Sequence, residues 1–133
     1  MSEENVEVVR RFTEAFNGRD LPAMLRCCDA DIELDFGRVL VGTPTYRGHE
    51  GIERWFRDMS AAWEELQVES FDVVAFGGDE VVVVGQSFGS GKTTGAPFSA
   101  HFAAHCRVSS GKAVRAEWFT TEDEALEAAG LSE

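Results

Sequence analysis

Basic residues are scarce in this chain. Lysine and arginine number 12 against 24 aspartates and glutamates, for a formal net charge of −12. Such a surface repels phosphate backbones and anionic lipid, so neither nucleic acid nor a membrane is expected as a partner. Long apolar runs are missing as well: no stretch approaches the roughly 20 residues needed to span a bilayer. The opening residues, Met1-Ser2-Glu3-Glu4-Asn5, have neither a basic nor an apolar leader segment, so no secretory signal is expected. Cysteine is limited to Cys27, Cys28 and Cys106. An odd count with two adjacent does not suggest a disulfide framework, and a reducing cytoplasm is the expected home.

What is present is enough apolar material for a core. The chain has 133 residues, 44% hydrophobic, which fits one domain over 1–133. Val6, Val9, Phe12 and Phe16 recur at spacings of three and four, the face of a helix that stops at Asn17-Gly18. Asp20 caps a second helix with Pro22 in its first turn; Leu21, Met24, Leu25 and Cys28 form its stripe. Asp29-Ala30-Asp31 breaks the pattern, and alternation from Ile32 to Phe36 predicts a strand. After a loop rich in Gly, Thr and Pro up to Tyr46, a third helix is expected from His49 to Trp63, striped by Ile52, Trp55, Phe56, Met59 and Trp63.

Four strands are then expected as an antiparallel meander: Gln67 to Phe76, Glu80 to Phe88, Phe98 to Val108 and Ala113 to Thr121. A short helix from Glu122 to Ala129 closes the chain. Helices with one early strand, followed by a meander, argue an α+β fold with helices on one face of a curved sheet. Alternation puts Phe98, Ala100, Phe102, Ala104, Cys106 and Val108 on one face, with Val114, Ala116, Trp118 and Thr120 beside them. This apolar face should meet the helices. His101, Ala103, His105, Arg107, Arg115, Glu117 and Phe119 fall on the other, which should meet water or a second copy of the chain. One β-bulge would swap part of this assignment.

The turns and caps carry a family resemblance. Asn17-Gly18-Arg19-Asp20-Leu21, Tyr46-Arg47-Gly48-His49-Glu50-Gly51-Ile52, Gly111-Lys112 and the closing 124–131 segment, in this order and spacing, resemble the SnoaL-like family of the nuclear transport factor 2-like superfamily. The resemblance covers essentially the whole chain. It implies a cone of three helices against a strongly curved sheet, with an apolar pocket at the open end, and a homodimer packed through the outer sheet face. Members include polyketide cyclases, steroid isomerases, epoxide hydrolases and dehydratases, so the fold does not imply one activity. Matching the isomerases residue by residue puts their oxyanion-donating tyrosine on Phe12, their general base on Phe36 and their protonated aspartate near Ala104. None of these side chains can move a proton, and acid–base catalysis needs a titratable group in reach. A one-residue slip would bring Asp35 to the base position, but would turn Leu34 out of the core.

Other candidate chemistry weighs less. Glu33 and Asp35 share a strand face that alternation turns outward, which favours solvated charges over an acid–base pair. His101 and His105 share a face but lie about 13 Å apart by strand rise, too far to hold one ion, and no metal site is expected. His49 reads as a residue of the helix-entry turn. Cys27 and Cys28 lack an evident activating base. Gly89-Ser90-Gly91-Lys92-Thr93 hints at a phosphate loop, but Gln86 stands where its first glycine belongs.

The expectation is therefore a protein that binds a small apolar or aromatic ligand, with no cofactor and no assigned catalytic residue. The expected pocket lining is Phe12, Phe16, Leu34, Phe36, Tyr46, Trp55, Met59, Gln86, Phe102, Ala104, Cys106, Trp118 and Thr120. Among these, Phe12, Phe36, Trp55, Met59, Phe102 and Trp118 should ring one cavity. The expected dimer contact is His101, His105, Arg107, Arg115, Glu117 and Phe119. The rival readings are a SnoaL-like cyclase, isomerase or hydratase with an unidentified acid–base group, and a non-catalytic interaction module with a filled cone.

Overall fold

The structure, a computed structural model, describes residues 2–37, 45–75, 79–128 and 130. The elements run α1 (Ser2–Asn17), α2 (Leu21–Arg26), β1 (Cys28–Asp35), β2 (Tyr46–Arg47), α3 (Gly48–Ala62), β3 (Trp63–Ala75), β4 (Glu80–Gly91), β5 (Pro97–Ser109), β6 (Lys112–Phe119) and α4 (Glu122–Ala128). The strands form one sheet in the order β2-β1-β6-β5-β4-β3, parallel between β1 and β6 and antiparallel elsewhere. The expected α+β architecture holds, with a curled mixed sheet and helices against its inner face.

The path from α1 to β3 explains the sequence signal at Asn17-Gly18. Asp20 N–H closes α1 on the Ala15 carbonyl at 2.8 Å. The left-handed residue is Arg19 (φ 56°), not the glycine. Its guanidinium holds it there, donating to the Phe16 carbonyl at 2.9 Å and the Leu66 carbonyl at 2.6 Å. Asn17 docks the same helix end on β3: its amide donates to Val68 O and accepts from Val68 N, both at 2.9 Å. These contacts reach β3 beside a register shift between Glu64 and Gln67, where Glu65 is also left-handed (φ 53°).

Asp20 caps α2 as expected, accepting from Ala23 N at 3.1 Å. The helix ends sooner than its stripe suggests. Cys27 is its C-cap, and Cys28 opens β1 instead of closing the helix face. A bulge between Cys28 and Glu33 absorbs Asp29-Ala30-Asp31, so the strand passes through the acidic run. The two-residue β2 had no periodicity to reveal it. It exists because it pairs with β1, Leu34 with Tyr46, and because α3 approaches closely at Gly51. A Cβ there would lie 2.9 Å from the Tyr46 backbone carbon.

On β5 the phase agrees with alternation, whereas on β6 Ala113 takes the inward place expected of Val114. Ala104, Cys106 and Val108 pack in the main core with Phe98 and Phe102 beside them. The bulge falls between Arg107 and Val108 on one side and at Val114 on the other, and it turns Ala113 inward. Met24, Ile32, Leu34, Ile52, Val81 and Val108 are nearly inaccessible to solvent. Each contributes roughly 1.5–3 kcal/mol of burial.

Candidate functional site

The inner face carries a continuous group of aromatic rings. Phe36, at the end of β1, stacks on Trp118 of β6 at 4.2 Å between centroids and on Trp55 of α3 at 6.0 Å, each within 20° of parallel. Tyr46 meets Phe36 edge-on at 6.3 Å. Trp55 also stacks on Phe16 at 5.3 Å and Phe12 at 6.2 Å, both from α1. Offset and edge-on pairs of this kind add to the burial they bring. Phe16, Leu34, Tyr46, Trp55, Ala104 and Cys106 are buried. Phe12, Phe36, Met59, Phe102 and Trp118 are half-buried and pack against them.

Two expected members of this group lie elsewhere. Gln86 pairs in register with His101 and therefore points to the outer face, where its amide donates to Ser99 Oγ at 2.6 Å. The phase error came from β4, whose inward residues are Val81, Val83 and their odd-numbered successors. Thr120 is exposed just beyond β6, with its hydroxyl on Glu124 at 2.8 Å at the start of α4.

The six side chains expected to ring a cavity do share one cluster, in which Phe12 and Phe36 stack on Trp55, and Phe36 on Trp118. A groove of about 840 Å³ lies at another place, between the first turns of α1 and Gly111, lined by Glu3, Glu4, Glu7 and Arg11 among others. No ring of the cluster is among its lining residues.

Phe12, Phe36 and Ala104 converge. The two phenylalanines both stack on Trp55, and Ala104 pairs with Trp118 in the β5–β6 ladder. The slipped register is not observed. Asp35 sits opposite Glu117 on the outer face and accepts from Arg115 Nη2 at 3.3 Å. Glu33 meets Arg47 and Arg115, so both carboxylates serve ion pairs, with Arg115 also reaching Glu117 at 3.0 Å.

Tyr46 and Trp55 bring polar groups to the cluster, and the Arg19 and Arg54 guanidiniums lie over the Phe16 and Tyr46 rings at 5.0 and 5.4 Å. The Tyr46 hydroxyl donates to Asp58 Oδ2 at 2.8 Å. Burial first, and then the bond to Asp58, push its pKa up, so the phenol stays neutral. The indole nitrogen of Trp55 is buried without a hydrogen-bond partner among the described residues. An orphaned buried donor costs roughly 1–3 kcal/mol of desolvation. Sequence reading placed Trp55 in the cluster, but nothing in a sequence marks an unpaired donor.

The remaining candidates have structural roles. His49 Nε2 donates to the Cys28 carbonyl at 3.0 Å and ties the start of α3 to β1. Burial raises the pKa of Cys27, and carries those of Cys28 and Cys106 to about 12, so all three thiols stay protonated. Lys92 donates to the Ser60 carbonyl in the β4–β5 connection, which is no helix-opening phosphate loop. His105 is bound to Glu80, which Arg107 also approaches at 3.7 Å, while His101 is exposed. No group of three metal-ligating side chains occurs among the described residues. Phe119 is 3% exposed. It is covered within the chain, in a second cluster of Val82, Ala103 and Ala125 with Leu126 against it.

Comparisons with known proteins agree with this geometry. Among curated proteins, none matches the chain. A Xanthomonas campestris pv. campestris protein described as a candidate polyketide cyclase is 22% identical, with a TM-score of 0.80 over 92% of this chain and 94% of that one. A Catenulispora acidiphila protein of ketosteroid isomerase-like fold, solved with trimethylamine, is 22% identical, with a TM-score of 0.76 over 94% and 93%. TerC, co-crystallized with polyporic acid, is 21% identical, with a TM-score of 0.78 over 95% and 97%. At these identities the likeness is one of fold. The model of the SnoaL-like domain matches residues 9–116, and the chain belongs to the SnoaL-like family.

Proposed function

We propose that the aromatic cluster is the binding site for a small flat or cyclic molecule. The observation that carries this reading is the Phe36 stack. Near-parallel rings from just after β1, from α3 and from β6 join buried Trp55 to half-buried Phe36 and Trp118. Surfaces that combine apolar rings with a few polar groups suit such ligands. Structural neighbours with trimethylamine and polyporic acid bound give the reading further support.

Acid–base catalysis of the steroid-isomerase type has no side chain to carry it at the three matched positions. The cyclase reading rests on one pair, the neutral Tyr46 phenol held by Asp58 beside Phe36. Titration with N-phenyl-1-naphthylamine, a neutral fluorophore, tests the binding reading. Saturable probe emission with quenching of tryptophan is expected, weakened at least fivefold by Phe36→Ala. Non-saturable emission, or no effect of Phe36→Ala, would count against the site.

The remainder of the outer face, with exposed His101 and Arg107 and half-buried Arg115 and Glu117, is the proposed contact between two copies in the cytoplasm. No helix among the described residues is long and apolar enough to cross a membrane.

A further inference from the structure

We propose that the Trp55 indole N–H anchors an acceptor oxygen of the ligand, so that the site selects flat rings bearing a carbonyl or phenolic oxygen. This deepens the binding reading above and rests on it. Trp55 is 7% exposed, and its Nε1 has no partner among the described residues. Phe12, Phe16 and Phe36 stack near-parallel to the indole, and its in-plane N–H does not point at the faces of rings so placed. The Tyr46 hydroxyl, another polar group at the rings, already spends its proton on Asp58. Trp55 is thus left with a donor that a bound acceptor would satisfy.

The chemistry of the donor sorts ligands. A hydrocarbon leaves the N–H as it is. An ammonium ion turns positive charge toward the positive end of the N–H dipole. A carbonyl oxygen accepts from it in surroundings that strengthen the bond. Phe36 is half-buried and stacks on both Trp55 and Trp118, so a flat ring that stacks against it joins the same layer of rings as both indoles. The oxygen of that ring then has a donor within the same layer.

The test compares 2-acetylnaphthalene with 2-isopropenylnaphthalene, its planar isostere without the oxygen, and with trimethylamine. Affinities are measured by tryptophan quenching, and the indole N–H signals of Trp55, Trp63 and Trp118 are followed by nitrogen-15 NMR. The ketone should bind about tenfold tighter than the alkene, the worth of one good hydrogen bond. The Trp55 signal should move downfield with the ketone alone. Trp55→Phe should bring the two naphthalenes within about twofold.

Equal affinities in the native protein, an unmoved Trp55 signal, or tighter binding of trimethylamine would overturn the assignment while leaving a binding site in place. Failure of both naphthalenes to bind would remove the site itself, and the assignment with it. The native-protein comparison decides the matter even if Trp55→Phe does not fold.

Discussion

A buried thiol affects stability only where the unfolded chain can ionise it. Cys28 and Cys106 have pKa values of about 12 in the fold, against 9.0 for an ordinary thiol. Both shifts come from burial, and both are upward, so their contribution is complete below about pH 9 and is lost as pH climbs from 9 to 12. The loss approaches 1.4 kcal/mol per pH unit for each thiol. Tyr46, also shifted upward, adds loss of the same sign at the alkaline end of that window. Urea denaturation at pH 8 and 10.5 should show a clear fall in stability, and Cys28→Ala with Cys106→Ala should flatten it. An unchanged slope would mean that the thiols are not what burial makes them. Asn17 gives a second prediction at this scale. Its amide pairs both backbone groups of Val68, so Asn17→Ala should cost about 1–3 kcal/mol by the same measurement. Most inward residues were legible because alternation and helical spacing are strict. Gln86 and Thr120 were not, since the register sets odd-numbered β4 residues beside the even-numbered inward residues of β5, and Thr120 lies past the strand end.

Elements were legible where they carry their own period, and lost where a neighbour makes them. Helix α1 and strands β4, β5 and β6 follow their patterns with small changes of boundary. The β2 strand does not, because two residues have no period; only β1 and the close approach of α3 define it. Gly51→Val should push Tyr46 off the helix and cost about 1–3 kcal/mol, with the loss visible as a lower midpoint in thermal unfolding. Helix α4 was expected, but its seven residues do not reveal what they cover. It lies on the outer face over Val82, Ala103 and Phe119, so that end of the face is core. Phe119→Glu should therefore destabilise the fold by roughly 3 kcal/mol or more, whatever the state of association. A variant with native melting behaviour but altered sedimentation would restore Phe119 to a contact between copies.

The whole molecule brings together positions that the chain keeps far apart, and this is where the comparison with steroid isomerases is decided. Phe12 comes from α1, Phe36 from the end of β1 and Ala104 from the middle of β5, yet all three meet around Trp55 and Trp118. The three positions that the sequence match singled out do lie in one cluster, since turns and caps set the spacing of the elements between them. It could not say whether rings so gathered leave an open space, because that depends on side-chain packing across three elements. The nearest outward carboxylates, Glu33 and Asp35, are held by Arg47 and Arg115 on the opposite face of the sheet. Tyr46 is a titratable side chain in contact with the rings, and its raised pKa keeps it a neutral hydrogen-bond donor, not a base. With no titratable side chain at Phe12, Phe36 or Ala104, those positions cannot supply the roughly 10²–10⁴-fold that proton transfer contributes. The expected outcome with a Δ5-3-ketosteroid is binding without isomerisation: quenching of tryptophan, and no growth of conjugated-enone absorbance above the buffer rate. Asp35→Asn should leave that result unchanged. Turnover in the native protein that Asp35→Asn abolishes would mean that β1 presents the other face to the rings, and the assignment of Phe36 would fall with it.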